Sequence, residues 1–247
     1  MSIDISKAIG VKRMDGWRPV SAKIPPVILA TPPIPFSGWT HQTIVTDNQH
    51  NLPACAGFAT ANWIECMLRA RQGRQCLKPG EQIDGEAIWR KARKMFWSHE
   101  KEDDGGLFMD QGFKAAVALG ILPPETVVSM RDVGIAELSV ILRRQPVLQG
   151  TQVSVAWNNP SKVNGQIREA MPDPMGGHAT CIIGVLEQDK NLYVLFQNSW
   201  GEKWGWNGYG LLTEEQWASS LISPLATAEL PWDFETWHGW RDFVVTK

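Results

Sequence analysis

From Cys55 to Ala70 the apolar residues Phe58, Ala61, Ile64, Met67 and Leu68 recur at the spacing of one helix face, and Gly73 follows as a stop. Pro53 stands just ahead, where its missing N–H costs little. The pattern predicts a second helix over Gly85–Trp97, with Ile88, Ala92, Met95 and Phe96 on one face, and a third over about Asp110–Leu119, closed by Gly120. The last third changes period. Val147–Ala156 alternates, with Val153 and Val155 sharing a face. Ala179–Leu186, Leu192–Gln197 and Tyr209–Leu212 are short apolar runs divided by Gly, Asn and Asp, as antiparallel strands are. A helical first half and a stranded second half predict an α+β protein of two lobes, about 41–130 and about 131–247 within a domain over 35–247. The cleft between such lobes is the natural place for a ligand. Ahead of the domain, residues 1–34 read as an arm. Gly16-Trp17-Arg18-Pro19, Pro25, Pro26, Pro32 and Pro33 favour extended backbone.

Composition narrows the classes. A chain of 247 residues with 43% hydrophobic and 20% charged residues can bury a sizeable core. Its net charge of −2 and lack of a basic field argue against nucleic acid as a partner. The run Arg90-Lys91-Ala92-Arg93-Lys94 reads as the solvated face of a helix, and the acidic Glu100–Asp104 stretch as a loop. The longest uncharged stretch, Ile24–Thr46, carries too many prolines for a membrane span. Asp4 stands where a signal peptide needs basic residues, so a cytoplasmic or other intracellular location is expected. Four cysteines (Cys55, Cys66, Cys76 and Cys181) are too few for a disulfide scaffold, which leaves catalytic or metal chemistry for any functional thiol.

Cys55 falls at the start of the first predicted helix, where unpaired N–H groups and the helix dipole favour a thiolate; a small core residue is the ordinary alternative. His178, in Gly176-Gly177-His178-Ala179, precedes an apolar strand, and Asn198 follows another in Gln197-Asn198-Ser199-Trp200-Gly201. Separately these read as a hydrogen-bonded histidine and a turn-closing amide. Together they supply a nucleophile, an acid/base and a group that orients the ring. Gln49, shortly before Cys55, is placed to donate to an oxyanion alongside the Cys55 backbone N–H.

At these residues the sequence resembles the papain-like cysteine peptidases. The most specific stretch is Asn198-Ser-Trp-Gly-Glu-Lys-Trp-Gly-Trp-Asn-Gly-Tyr-Gly210. Gly177-His178-Ala179 before an Ile/Val-rich strand, Gln49 through Phe58, and the helix, Pro146 and strand over Leu138–Val155 are similar as well, and Pro35–Trp39 is a weaker echo. His178 comes slightly earlier than the about 130 residues after the nucleophile that the family shows. The resemblance implies a papain-like fold with a helical left lobe and a barrel-like right lobe. It also implies Cys55 as nucleophile, His178 as acid/base, Asn198 as orienter and Gln49 as oxyanion donor. Trp200 would cover the His–Asn contact, Gly105 and Gly106 would pair with bound peptide, and Gly177 and Ala179 would flank a subsite. The substrate implied is a polypeptide or peptide, with no cofactor and no metal.

This sequence departs from the family at Leu52, where a disulfide cysteine is usual, and at Ala56, where a tryptophan is usual. Residues 1–34 are too few for the long inhibitory pro-segment that secreted members carry, so the arm is expected to lie across a lobe or to contact a protein partner. The Trp-rich Pro231–Trp240 stretch is either an interaction surface or packs back on the barrel. A metal site from His178 and Cys181 with Cys66 and Cys76 is disfavoured by the spacing. The expected function is a thiol peptidase. The alternatives are a papain-like scaffold kept for binding or assembly, and acyl transfer or isopeptide cleavage through the same thioester chemistry.

Overall fold

The computed structural model describes residue 39 and residues 47–99, 105–167, 174–188 and 190–246. The arm over 1–34 and the acidic stretch Glu100–Asp104 lie outside the described residues. The helical lobe is built on α1 (Cys55–Gln72), β1 (Glu81–Ile83), α2 (Gly85–Phe96) and α3 (Met109–Ala118). Gly73 ends α1 with a positive φ of 97°, which glycine adopts without strain. The helix is buried on all sides from Cys55 through Leu68, which marks it as a central helix rather than a surface one.

Close helix contact explains two glycines. A Cβ on Gly57 would stand 2.3 Å from the Gly85 carbonyl oxygen, so α1 and α2 touch backbone to backbone. On α2 the inward face is Ile88, Trp89 and Ala92, while Met95 is 41% exposed instead of facing the core. The basic run is only partly a solvated face. Arg90 pairs with Glu86 one turn back, but Arg93 is buried.

The second lobe begins with β2 (Val127–Arg131) and α4 (Ile135–Ile141). It continues through β3 (Val147–Ser154), β4 (Pro174–Gln188), β5 (Asn191–Gln197), β6 (Tyr209–Thr213), α5 (Glu214–Ser220) and β7 (Leu225–Glu229). Its six strands form one antiparallel sheet in the order β2-β7-β3-β4-β5-β6. β3 ends at Ser154 after a register shift, and a 3-10 turn takes over at Val155. Val155 is therefore 62% exposed, whereas Val153 is buried, and the two do not share a face as alternation predicts. Side chains of β4 alternate between two cores. Ala179, Cys181 and Ile183 join the cluster built around α1, while Ile182 and Val185 join the cluster inside the sheet lobe.

The lobes are stitched by polar contacts. Trp63 Nε1 of α1 donates to the Pro146 carbonyl (2.8 Å), and Gln197 Nε2 of β5 donates to Asn62 Oδ1 (3.1 Å). The C-terminal stretch returns to the helical lobe, not to the barrel. Gln72 Nε2 donates to the carbonyls of Phe234 and Trp237, Trp237 Nε1 reaches the carbonyls of Gly120 and Ile121, and β8 (Val244–Thr246) pairs with β1. Trp232 alone of the late tryptophans stands almost wholly in solvent, at 92% exposed. Among the described residues no helix is long and apolar enough to cross a membrane.

Because the Gly57 contact is to backbone, it cannot be relieved by a side-chain rotation. Gly57→Ala is expected to destabilise the fold by at least about 2 kcal/mol in urea unfolding; an unchanged midpoint would show that the α1–α2 crossing is looser than described.

Candidate active site

The site is assembled from three segments. The first is Asp47–Ala54, which leads into α1. Cys55 is the first helical residue, Ala54 and Pro53 precede it, no side chain caps the helix and no acidic residue lies in its first turn. The positive end of the helix dipole therefore meets the sulfur with no acidic residue in the same turn to oppose it. Cys55 is fully buried, in the same cluster as Ala179, the neighbour of His178 on β4.

The second segment is β4. His178 pairs with Thr151 of β3, and its imidazole is fully buried. The third is the turn after β5, which holds Asn198, Ser199 and Trp200. His178 Nε2 lies 2.7 Å from Asn198 Oδ1. That oxygen also accepts the Ser199 backbone N–H at 2.8 Å. A backbone donor fixes which end of the amide is oxygen, so the ring nitrogen facing it must carry hydrogen. The neutral ring then has its lone pair on Nδ1, which is buried and has no hydrogen-bond partner.

Trp200 stacks on the imidazole, with ring centroids 4.4 Å apart and planes 30° apart. The turn that carries it is held through Asn198 N to the Gly208 carbonyl and Gly201 N to the Asp47 carbonyl. Gln49 ties the first segment to this turn. Its backbone N–H donates to the Ser199 carbonyl, and its Oε1 accepts the Ser199 hydroxyl at 2.5 Å. Gln49 Nε2 uses one of its two hydrogens on the Leu52 carbonyl, 2.8 Å away. A continuous chain of hydrogen bonds thus runs from the segment before Cys55 through Gln49, Ser199 and Asn198 to His178.

The two departures from the family pattern are absorbed locally. Leu52 packs against the core, and its carbonyl holds Gln49. Ala56 is buried, and its carbonyl accepts the Thr60 hydroxyl (2.8 Å) where α3 crosses at Gly112. Gly105 and Gly106 lie in the segment between α2 and α3, where the Gly105 carbonyl is 3.4 Å from Trp89 Nε1. Gly177 pairs with Gln152 of β3, and Ala179 is fully buried toward α1. Ser199 and Trp157 were not singled out from the sequence. Ser199 lies inside the Asn198 motif, whereas a tryptophan at a strand end carries no local signal.

The other thiols are held protonated. Burial pushes Cys66 and Cys181 well above the ordinary thiol range, with the nearby Glu65 adding to it, and partial burial raises Cys76. Among the described residues no three His, Cys, Asp or Glu side chains gather as metal ligands.

Burial also lowers His178 from 6.5 to about 4, opposed by its hydrogen bond to Asn198. The folded ring is thus neutral between about pH 4 and 6.5, where the unfolded ring is protonated. The unfolded chain then holds the extra proton, so stability falls as pH drops through this window, by up to about 3 kcal/mol from this group. Unfolding titrations at pH 7.5 and 4.5 are expected to show wild type losing about 2 kcal/mol more than His178→Gln; equal losses would mean that the ring is not held neutral.

Comparison with known proteins agrees with this architecture. The model of the papain family cysteine protease matches residues 139–227, a span that includes His178, Asn198 and Trp200 and leaves out Cys55 and Gln49. An uncharacterized peptidase C1-like protein of Acanthamoeba polyphaga mimivirus is 57% identical over 35 residues, 14% of this chain and 11% of that relative's length. Xylellain, a cysteine protease from Xylella fastidiosa, superposes with a TM-score of 0.69 at 18% identity, over 92% of this chain and 97% of that one. Digestive procathepsin L 3 of Tenebrio molitor gives 0.64 at 15% identity, over 92% and 78%. Bromelain from Ananas comosus, solved with the E64 inhibitor, gives 0.60 at 15% identity, over 80% and 100%. At such identities these likenesses speak for the fold. The papain family cysteine protease model thus matches the sheet lobe, and the fold across most of the chain is similar to that of papain-like cysteine peptidases.

Proposed function

We propose that the protein hydrolyses peptide bonds in peptides or proteins, with Cys55 as nucleophile, His178 as acid/base, Asn198 as the orienting amide and Gln49 as oxyanion donor. The observation that supports this best is the commitment of His178 Nε2 to Asn198, which leaves the buried Nδ1 lone pair unpartnered. Nδ1 takes the proton from Cys55 as the sulfur attacks the scissile carbonyl carbon. The carbonyl electron pair moves onto oxygen, where the Cys55 backbone N–H and Gln49 Nε2 stabilise it. As the tetrahedral intermediate collapses, the carbon–nitrogen bond breaks and the amine leaves with the proton from the imidazolium. Water then attacks the thioester, giving its proton to His178, and the acid is released as the thiol reforms.

Trp200 keeps water from the His–Asn hydrogen bond and so preserves its strength. Gly105 and Gly106 would offer backbone to an extended substrate, and Gly177 and Ala179 would flank the adjoining subsite. The full burial of Cys55 and His178 favours a second reading, a papain-like scaffold that binds or assembles without hydrolysis. The peptidase reading requires the fully buried Cys55 sulfur to become accessible to substrate. Neither reading needs a metal or cofactor. The arm over 1–34, and Trp232 in the C-terminal stretch, remain candidate contacts for a protein partner.

Alkylation with iodoacetamide, mapped by mass spectrometry across pH 5–9, separates the two. The peptidase reading expects Cys55 to react fastest already near pH 6, and to slow by about 100-fold or more in His178→Ala. Uniformly slow labelling of all four cysteines would contradict it and favour the scaffold.

A further inference from the structure

Beside the stacked pair of His178 and Trp200 stands a third ring. Trp157 lies in the 3-10 turn Val155–Asn158 that follows β3, the partner strand of β4, and it is fully buried. Its centroid is 6.1 Å from that of His178 and 6.1 Å from that of Trp200, while those two are 4.4 Å apart. A triangle with these sides puts Trp157 alongside the stack, bridging both rings, rather than over the outer face of the imidazole. Its plane meets theirs at 85° and 68°, the edge-to-face arrangement that aromatic quadrupoles favour.

Trp157 is itself held from behind. Trp204 stacks on it at 6.0 Å and donates Nε1–H to the Trp157 carbonyl at 2.8 Å, and Phe196 lies 5.2 Å away. The indole Nε1 of Trp157 is buried without a hydrogen-bond partner. An unmet buried donor is normally selected against, by about 1–3 kcal/mol. A residue kept for packing alone would be better served by phenylalanine or leucine.

We propose that Trp157 is a positioning residue for His178. It closes the open side of the imidazole–indole stack, so that the ring cannot swing away from Asn198, and it excludes water from that side. This rests on the reading of His178 as the acid/base. Asn198 fixes the ring at one atom, Trp200 fixes its plane, and Trp157 blocks rotation within the slot. The ionisable groups on the elements around the ring include Cys55, Glu65 and Cys66 on α1, Cys181 and Glu187 on β4 itself, and Asp47 in the segment before α1, whose carbonyl accepts the Gly201 N–H. The facing residues Thr151 and Gln152 of β3 are neutral.

The test uses Trp157→Phe and Trp157→Leu in the full-length chain, with iodoacetamide as the probe and nuclear magnetic resonance of the histidine rings as a second readout. Cys55 alkylation is expected to slow roughly 10-fold or more in the leucine variant and several-fold in the phenylalanine variant. Alkylation of Cys76, beyond the C-terminal end of α1, should be unchanged. The His178 titration midpoint should rise in both variants toward that of a solvated ring. Folded variants with wild-type Cys55 rates and an unmoved His178 midpoint would overturn the proposal. If the leucine variant does not fold, the phenylalanine variant decides alone. If wild-type Cys55 reacts no faster than Cys76, the peptidase reading fails, while the His178 midpoints still judge the role of Trp157.

Discussion

The hydrogen bond between His178 and Asn198 depends on a smaller one, the Ser199 N–H that donates to the same amide oxygen. With that oxygen pinned by backbone, the imidazole has a single consistent tautomer, with hydrogen on Nε2 and a lone pair on Nδ1. Burial keeps the ring neutral by removing the water that would stabilise its charge. A neutral ring with one buried, unpartnered nitrogen is a base in need of a proton donor, and the chemistry proposed for Cys55 follows from that need.

Around this bond the fold supplies support from both lobes. Gln49 precedes α1 in the chain yet binds Ser199 through both its backbone and its side chain, so the approach to Cys55 is fastened to the turn that orients the histidine. The α1–α2 crossing at Gly57 and Gly85 lets the central helix sit deep in its lobe, and Trp63 and Gln197 lock it to the sheet. The aromatic group of Trp157, Trp200, Trp204 and Phe196 packs one side of the site with buried, mutually contacting rings. The low polarity of such packing strengthens each hydrogen bond inside it.

Much of this was legible in the chain. The three main helices and the strands over β3 to β6 follow from periodicity, the Asn198 and Trp200 turn follows from one unusually specific stretch, and His178 follows from a separate Gly-His-Ala motif before a strand. The misreadings share a cause: local pattern says nothing of what tertiary packing does to a face. Val155 alternates correctly, but its strand stops one residue earlier. Met95 sits at an apolar position, but Trp89 fills the inward side of α2. Arg93 belongs to a basic run and is nonetheless buried. The C-terminal tryptophans pack on Gln72 and Gly120, residues more than a hundred positions earlier, which no window on the sequence can see. Trp157 was silent for the same reason, since its role exists only through the rings brought to it.

The most direct measurement is a crystal structure of the full chain after reaction with a peptidyl thiol-directed electrophile. The account predicts a covalent bond to Cys55 Sγ, His178 Nδ1 within about 4 Å of that sulfur, and Nε2 still on Asn198 Oδ1. A modified cysteine elsewhere, or an imidazole turned away from an unmodified Cys55, would contradict it.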